Sequence, residues 1–179
     1  ARALEFTLAP LAGALDGVNE KGLAIAYDYA YTLDDGEPAP PVSAAIADAL
    51  ARCATVASAA ELIARRPRWG GALLMLADAG GDIASLELSS TKSALRRPAP
   101  GEDFLVHSNA FCMPETRAVE VSRDTRFHDK APKALRGKRV HESAEHRGGR
   151  LEQLVAKSGP LTAEGLARVM ADHGPDGTA

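Results

Sequence analysis

The chain has 179 residues, of which 45% are hydrophobic and 25% charged, and its formal net charge is −3. This length fits one domain with a sizeable core, the weak negative charge gives no argument for a nucleic acid or an anionic membrane as partner, and no apolar run reaches the roughly 18 residues of a spanning helix. Two cysteines are too few for a disulfide framework, so a reducing, cytoplasmic compartment is expected.

The first clear element is a strand. Residues 8–17 contain proline and glycine and form an irregular segment before the strand. In residues 22–32, apolar or aromatic side chains alternate strictly with other types. Such period-two alternation predicts a strand with one buried face. An Asp-Asp-Gly sequence and three prolines in residues 33–41 predict a loop after it.

Two helices follow this loop. Ser43 is the candidate N-cap of the first, and Thr55 is the candidate N-cap of the second, because short hydroxyl side chains accept hydrogen bonds from the free N–H groups of a first turn. The apolar stripe of the first helix repeats at helical spacing and consists of Ile46, Leu50 and Cys53.

A run of short strands comes next. Residues 72–79 and 82–89 flank Gly80-Gly81, which predicts a two-residue hairpin turn. Residues 94–97 and 104–107 are candidates for further strands of the same sheet. The meander is therefore predicted to be antiparallel.

Glu87 interrupts the apolar pattern of this meander. It alternates with Leu86 and Leu88, so it lies on the opposite face of the strand from them. If that face is covered, the carboxylate needs a partner, and Arg96 or Arg97 on a neighbouring strand is a candidate. If the face is open, Glu87 is a surface residue.

The second half of the chain turns polar and then helical. Residues 115–150 hold ten Lys or Arg and six Asp or Glu residues. Apolar stripes predict helices over residues 147–157 and 162–172, the latter capped by Thr162. The order of strand, two helices, several strands and two helices indicates an α+β domain with helices packed on a sheet.

Motifs of common enzyme classes are absent from the sequence. It contains no phosphate-binding loop, zinc-protease motif or serine-hydrolase elbow. His141 and His146 are five positions apart, which is not one-face helical spacing, so no metal site and no cofactor are predicted. Cys112 follows His107 by five residues, which leaves a Cys-His thiol enzyme as one alternative.

Four stretches, read in order, resemble a known family. They are GVNEKGLAIAYDYAY at 17–31, residues 52–89, FLVHSNAFCMPETR at 104–117, and residues 143–174. They are similar to the cysteine N-terminal-nucleophile (Ntn) hydrolases that cleave linear amide C–N bonds, best to the penicillin acyltransferase-like branch, whose relatives include the choloylglycine hydrolases. The resemblance implies an αββα sandwich of mostly antiparallel sheets flanked by helix pairs, present only in part in this chain.

The resemblance also implies a mechanism. An N-terminal cysteine, exposed by autoproteolytic processing, attacks an amide or thioester carbonyl, and its own α-amino group acts as the base. Asn109 matches the asparagine that donates to the oxyanion, and Arg147 matches the arginine that orients the nucleophile. Asp28 stands at or beside an asparagine of the bile-salt-hydrolase branch, although a carboxylate accepts where an amide donates. These three are the predicted catalytic residues.

The predicted substrate-binding residues are Tyr27, Tyr29 and Asn19. Alternate tyrosines on a strand can line an acyl pocket, although core or interface roles fit them equally. Asn19, in the NEKGL turn, is more readily explained by turn geometry than by substrate contact. The expected substrate is a small-molecule amide or acyl thioester.

The family's opening cysteine is not found at Ala1. We therefore expect residues 1–179 to be an incomplete portion of one larger domain, inactive alone, whose nucleophile is supplied by a complementary chain or segment. Two alternatives remain open: a non-catalytic binding or scaffold relative, and a thiol enzyme using Cys112 and His107. Homo-oligomerisation is also left open.

Overall fold

The computed structural model describes residues 1–174, which form one six-stranded sheet with five helices. Neighbouring strands are antiparallel and follow chain order: β1 (Ala3–Phe6), β2 (Asp16–Asn19), β3 (Ala24–Ala30), β4 (Gly71–Ala77), β5 (Ile83–Leu88) and β6 (Ser93–Arg96). The helices are α1 (Val42–Arg52), α2 (Val56–Arg65), α3 (Pro114–Arg117), α4 (Glu142–Ser158) and α5 (Ala163–Met170).

The chain divides into two compact units. The first comprises Ala1–Leu105 with Phe111–Glu120, and it contains the sheet and α1 to α3. The second comprises Val106–Ala110 together with the chain from Val121 onward, and it contains α4 and α5. The change to a polar composition from residue 115 falls close to Val121, where the second unit resumes, and the single incomplete domain stays a prediction.

One face of the sheet carries the main core of the first unit. The stripes of α1 and α2, with Ile46, Leu50 and Ile63 fully buried, meet alternate residues of the central strands such as Leu74 and Leu86. Because side chains alternate across a strand, only every second residue of β4 and β5 reaches these helices. This apolar layer fixes the helix pair on the sheet.

The opposite face of the sheet is buried at one end and exposed at the other. Toward β4 and β5, Leu73 and Glu87 are 0% exposed, and Phe111 packs in a cluster with Leu73. Toward the β1 edge, Leu4 and Phe6 are 76% and 55% exposed. Phe6 follows Leu4 at a strand period of two, so both project from this opposite face. At the β1 edge, the sheet face opposite the helices therefore carries exposed apolar side chains.

Several sequence predictions are confirmed. The fold class is α+β, with an antiparallel sheet and a packed helix pair. Thr55 caps α2 in a capping box, accepting from the amide of Ser58, and Thr162 caps α5 by accepting from the amide of Gly165. The predicted apolar stripe of α1 is buried as expected.

Two local predictions are wrong. Ser43 is not an N-cap, because α1 begins one residue earlier and the Ser43 hydroxyl instead donates to the carbonyl of Ala12 at 2.6 Å. The hairpin turn is longer than two residues, since β4 ends at Ala77 and β5 begins at Ile83. The Asp78 carboxylate explains this, as it accepts from backbone amides within the turn and from the first amide of α2.

Two further differences concern strands. Residues 104–107 are not a strand but an irregular segment. The first hairpin, β1 with β2, is missing from the sequence predictions, although Leu4, Phe6 and Leu8 alternate with polar residues as in a strand.

Replacing Leu74 with alanine tests the helix-face core. Leu74 is 0% exposed, so Leu74→Ala should lower the free energy of unfolding by about 2–5 kcal/mol through lost burial and a residual cavity. Leu95, on the same face but 37% exposed, is the matched control, and Leu95→Ala should cost less than about 1 kcal/mol. Urea denaturation measures both. Equal losses would contradict this assignment of the core.

Candidate functional site

The structure brings together two of the predicted catalytic residues. The Nη2 of Arg147 donates to the Oδ1 of Asn109 at 2.6 Å, and its Nε reaches the hydroxyl of Ser143 at 3.3 Å. Asn109 and Arg147 are 38 positions apart in the chain and both belong to the second unit. Because Oδ1 serves as the acceptor, the Nδ2 hydrogens are the donor end of the Asn109 amide.

Local geometry explains how these two side chains meet. Asn109 lies in a tight turn in which the amide of Ala110 donates to the carbonyl of Ser108 at 2.7 Å. Gly148 follows Arg147 on α4, and a β-carbon there would lie 3.1 Å from the hydroxyl of Ser108. The absence of a side chain at Gly148 therefore lets the turn approach the helix closely.

The start of α4 is anchored by charged and polar groups. Glu145 accepts from Arg139 at 2.7 Å and from Arg123 at 3.4 Å, and the hydrogen bond from Arg139 holds the pKa of Glu145 below its ordinary value. His141, considered above as a metal ligand, is 0% exposed and its Nε2 lies 2.9 Å from the carbonyl oxygen of Val121. These contacts fix the turn of α4 that precedes Arg147.

Asp28 belongs to the first unit, on the sheet face opposite the helices. The register pairs Asp28 with Leu73, and Leu73 with Glu87, so the three lie in one row across the sheet. Tyr27 and Tyr29 point the other way, because alternate residues of a strand face opposite sides. Asp28 and the two tyrosines therefore do not line a single pocket.

The two tyrosines border a cavity of about 100 Å³. Burial raises the pKa of Tyr27, and the neighbouring Tyr29 and Asp28 raise it further. Tyr29 contacts Tyr31 edge to face, with ring centroids 5.1 Å apart. Trp69 also borders this cavity and is 64% exposed. The predicted substrate role of the tyrosines stays a prediction.

Asn19 is committed to backbone groups. Its Nδ2 donates to the carbonyls of Leu50 and Cys53 at 2.7 and 2.9 Å, and its Oδ1 accepts from the amides of Lys21 and Leu23 at 3.0 and 3.1 Å. The side chain is only 5% exposed. This geometry favours the turn-shaping interpretation of Asn19 over the substrate-binding one, because the amide ties the end of α1 to the turn before β3.

Glu87 is a buried carboxylate with an unexpected set of partners. It accepts from the amides of Cys112 and Met113 at 2.9–3.1 Å and from the hydroxyl of Thr116 at 2.5 Å. The amide of Phe111 donates to Glu120 at 2.6 Å, so three consecutive backbone N–H groups are each held by a carboxylate. The alternation of Glu87 with leucines left a buried and a surface position equally open, and backbone partners leave no trace in a sequence.

The arginines that were considered as partners of Glu87 lie on β6 or directly after it. Arg97 pairs instead with Asp82, and β6 pairs Arg96 with Ser85. Both candidates were proposed because a charge on a neighbouring strand is the simplest compensation for a buried carboxylate. Charge-assisted hydrogen bonds from backbone amides compensate it equally well.

Among residues 1–174, no group of three or more His, Cys, Asp or Glu side chains is placed to hold a metal ion. In the same part of the chain, none of the helices combines the length and the apolar character that crossing a membrane requires. Cys53 is buried and Cys112 is exposed.

The family model for acyl-coenzyme A:6-aminopenicillanic acid acyl-transferase matches residues 5–172. The chain belongs to this family, which confirms the penicillin acyltransferase-like branch expected from the sequence. A search of curated proteins finds no match. Among solved structures, penicillin V acylase from Agrobacterium tumefaciens is similar over 48% of this chain, with 28% identity and a TM-score of 0.37. That match covers 29% of the acylase chain.

Substituting Glu87 tests whether its carboxylate holds the 111–117 segment. Glu87→Gln keeps the size but turns an amide N–H₂ toward backbone donors, so we expect a loss of about 1–3 kcal/mol in unfolding free energy and faster amide exchange at Cys112 and Met113. Glu115→Gln, at an exposed position of α3, is the control and should change stability by less than about 0.5 kcal/mol. Unchanged exchange at Cys112 in Glu87→Gln would contradict this role.

Proposed function

We propose that this chain forms part of an acyltransferase or amidohydrolase that acts on a linear amide or thioester through an acyl-cysteine intermediate. The observation that carries the proposal is the hydrogen bond from Arg147 to Asn109, in a chain that belongs to an acyl-transferase family. The family resemblance implies a catalytic role for each of these two residues, and the hydrogen bond joins them. The proposal assigns them complementary tasks in one reaction.

In the proposed reaction a cysteine thiolate attacks the carbonyl carbon of the substrate and the C=O π electrons move onto oxygen. The Nδ2 hydrogens of Asn109 stabilise this developing oxyanion, and a fixed donor of this kind acts without reorganisation during the reaction. Arg147 holds Oδ1 and so sets the direction of Nδ2. Collapse of the tetrahedral intermediate expels the amine or thiol, which takes a proton, and leaves an acyl-cysteine.

The acyl group then passes from the cysteine sulfur to water or to an acceptor amine, and the thiol is regenerated. The α-amino group of an N-terminal cysteine serves as the base in this proposal, as the family resemblance implies. Because its ordinary pKa is close to 8, a useful fraction is neutral near physiological pH. Processing of a precursor would generate that amino group.

We further propose that the nucleophile lies outside residues 1–179. Cys53 is 7% exposed within the main core, where a substrate carbonyl has no access. Cys112 is exposed, but its backbone amide donates to the Glu87 carboxylate and so helps to hold the 111–117 segment, and the family resemblance implies an N-terminal cysteine rather than an internal one.

A complementary segment also has a surface to occupy in this proposal. Leu4, Phe6 and Val18 are 76%, 55% and 43% exposed at the β1 edge, on the sheet face that also bears Asp28. Contiguous exposed apolar side chains of this kind mark interaction surfaces. The cytoplasmic location and any homo-oligomer remain predictions.

The two asparagines of the chain allow a matched test. In the natively purified enzyme, Asn109→Ala should lower turnover of an N-acyl amide by about 10²–10³, the usual effect of losing one oxyanion donor, with little change in stability. Asn19→Ala removes four hydrogen bonds, three of them buried, and should lower the free energy of unfolding by about 1–3 kcal/mol. Turnover assays and urea denaturation separate the two effects. Full turnover by Asn109→Ala would refute the proposed role.

A further inference from the structure

A cavity of about 150 Å³ lies between α4 and α5 in the second unit. Its walls combine an apolar floor with a charged rim. The apolar lining, termed the floor, takes side chains from both helices, namely Leu151, Leu154, the buried Val169 and Met170, which is 66% exposed. The polar and charged lining, termed the rim, consists of Arg147, Arg150, Asp172 and His173. A site of this composition suits a small amphipathic ligand.

One rim cation is already neutralised. Arg150 donates to both carboxylate oxygens of Asp172, at 2.8 and 3.1 Å. This bidentate hydrogen bonding lowers the pKa of Asp172 and raises that of Arg150, so both groups stay ionised at neutral pH. The pair contributes no net charge to the rim, but it fixes the geometry of that side.

Arg147 is the rim arginine that has no carboxylate partner among the described residues. Within residues 1–174 its guanidinium hydrogen bonds go to two neutral acceptors, Asn109 and Ser143, and they use Nη2 and Nε. A planar guanidinium carries five N–H donors in total, so its Nη1 edge can serve a ligand. The rim is thus net positive at the end of the cavity where Arg147 lies, which favours an anion.

We propose that this cavity binds the ionised carboxylate of a small apolar acid, with its hydrocarbon body on the floor and its carboxylate on Arg147. The volume equals the share of about five liquid water molecules, which suits a short chain rather than a polycyclic body. A guanidinium–carboxylate contact supplies orientation through charge-assisted hydrogen bonds. Pentanoate has the size and charge of the expected ligand.

The site is connected to the proposed chemistry through one side chain. Arg147 contacts Asn109 through Nη2 and borders the cavity, so an acid bound there shares its guanidinium with the proposed oxyanion donor. Hydrolysis of an acyl amide releases a carboxylate, and the cavity would retain that product. This link rests on the proposed function, whereas the binding site itself does not.

The test is a titration of the isotope-labelled chain by NMR, with pentanoate as the probe and pentan-1-ol as its neutral analogue. We expect pentanoate to shift methyl signals of Leu154 and Val169 with a millimolar dissociation constant, and pentanol to bind about tenfold more weakly. Arg147→Gln should abolish the preference for pentanoate. Arg168→Gln, which removes an exposed cation from α5 outside the cavity, is the control and should retain it.

A second variant guards against misfolding of Arg147→Gln. Leu154→Trp fills the cavity without removing charge and should abolish binding of both probes. Equal binding of pentanoate and pentanol, or pentanoate binding that survives Leu154→Trp, would overturn the assignment. If pentanoate fails to bind while Asn109→Ala still loses turnover, the site is refuted and the proposed function stands. Pentanoate binding to this chain, together with no turnover by the natively purified enzyme, would leave the site and remove the enzyme proposal.

Discussion

The Glu87 carboxylate imposes the constraint on which much of the first unit depends. A charge at 0% exposure in the middle of a sheet must be hydrogen-bonded, since an uncompensated buried carboxylate is costly. The amides of Cys112 and Met113 and the hydroxyl of Thr116 meet this need, and in doing so they hold the 111–117 segment against the sheet. Phe111 then covers Leu73 on the face that α1 and α2 do not reach. The buried carboxylate of Glu87 thus fixes the position of the 111–117 segment on the sheet.

The candidate site in the second unit also depends on a charged group, because the Arg147 cation orients the neutral amide of Asn109. Arg147 lies on a regular helix whose start is anchored by Glu145, so it is a rigid support for the Asn109 amide. An oxyanion donor works best when its direction is set before the reaction begins. The cavity beside Arg147 adds a second use for the same guanidinium, because one side chain can orient the donor and receive an acid.

Periodicity alone predicted the elements that bury a continuous stripe: β3, β4, β5 and the main helices. It failed where partners are backbone groups or distant residues. The alternation within β1 spans only the four residues Ala3–Phe6, which is short for a strand assignment, and the β4–β5 turn is widened by Asp78, whose partners include the first amide of α2. For the site, resemblance supplied Asn109 and Arg147, and the structure joined them. The opposite orientations of Asp28 and Tyr27 follow from strand alternation, which the sequence already contained.

The most direct test of the account is to find which thiol carries the acyl group. Natively purified protein would be incubated with an N-acyl amide or acyl thioester, quenched in acid, and analysed by denaturing intact mass and peptide mapping. The account predicts an acyl adduct on the N-terminal cysteine of a polypeptide or segment outside residues 1–179, and none on Cys53 or Cys112. An adduct on Cys112 that turns over with the substrate would contradict it and establish the Cys112 and His107 thiol enzyme instead.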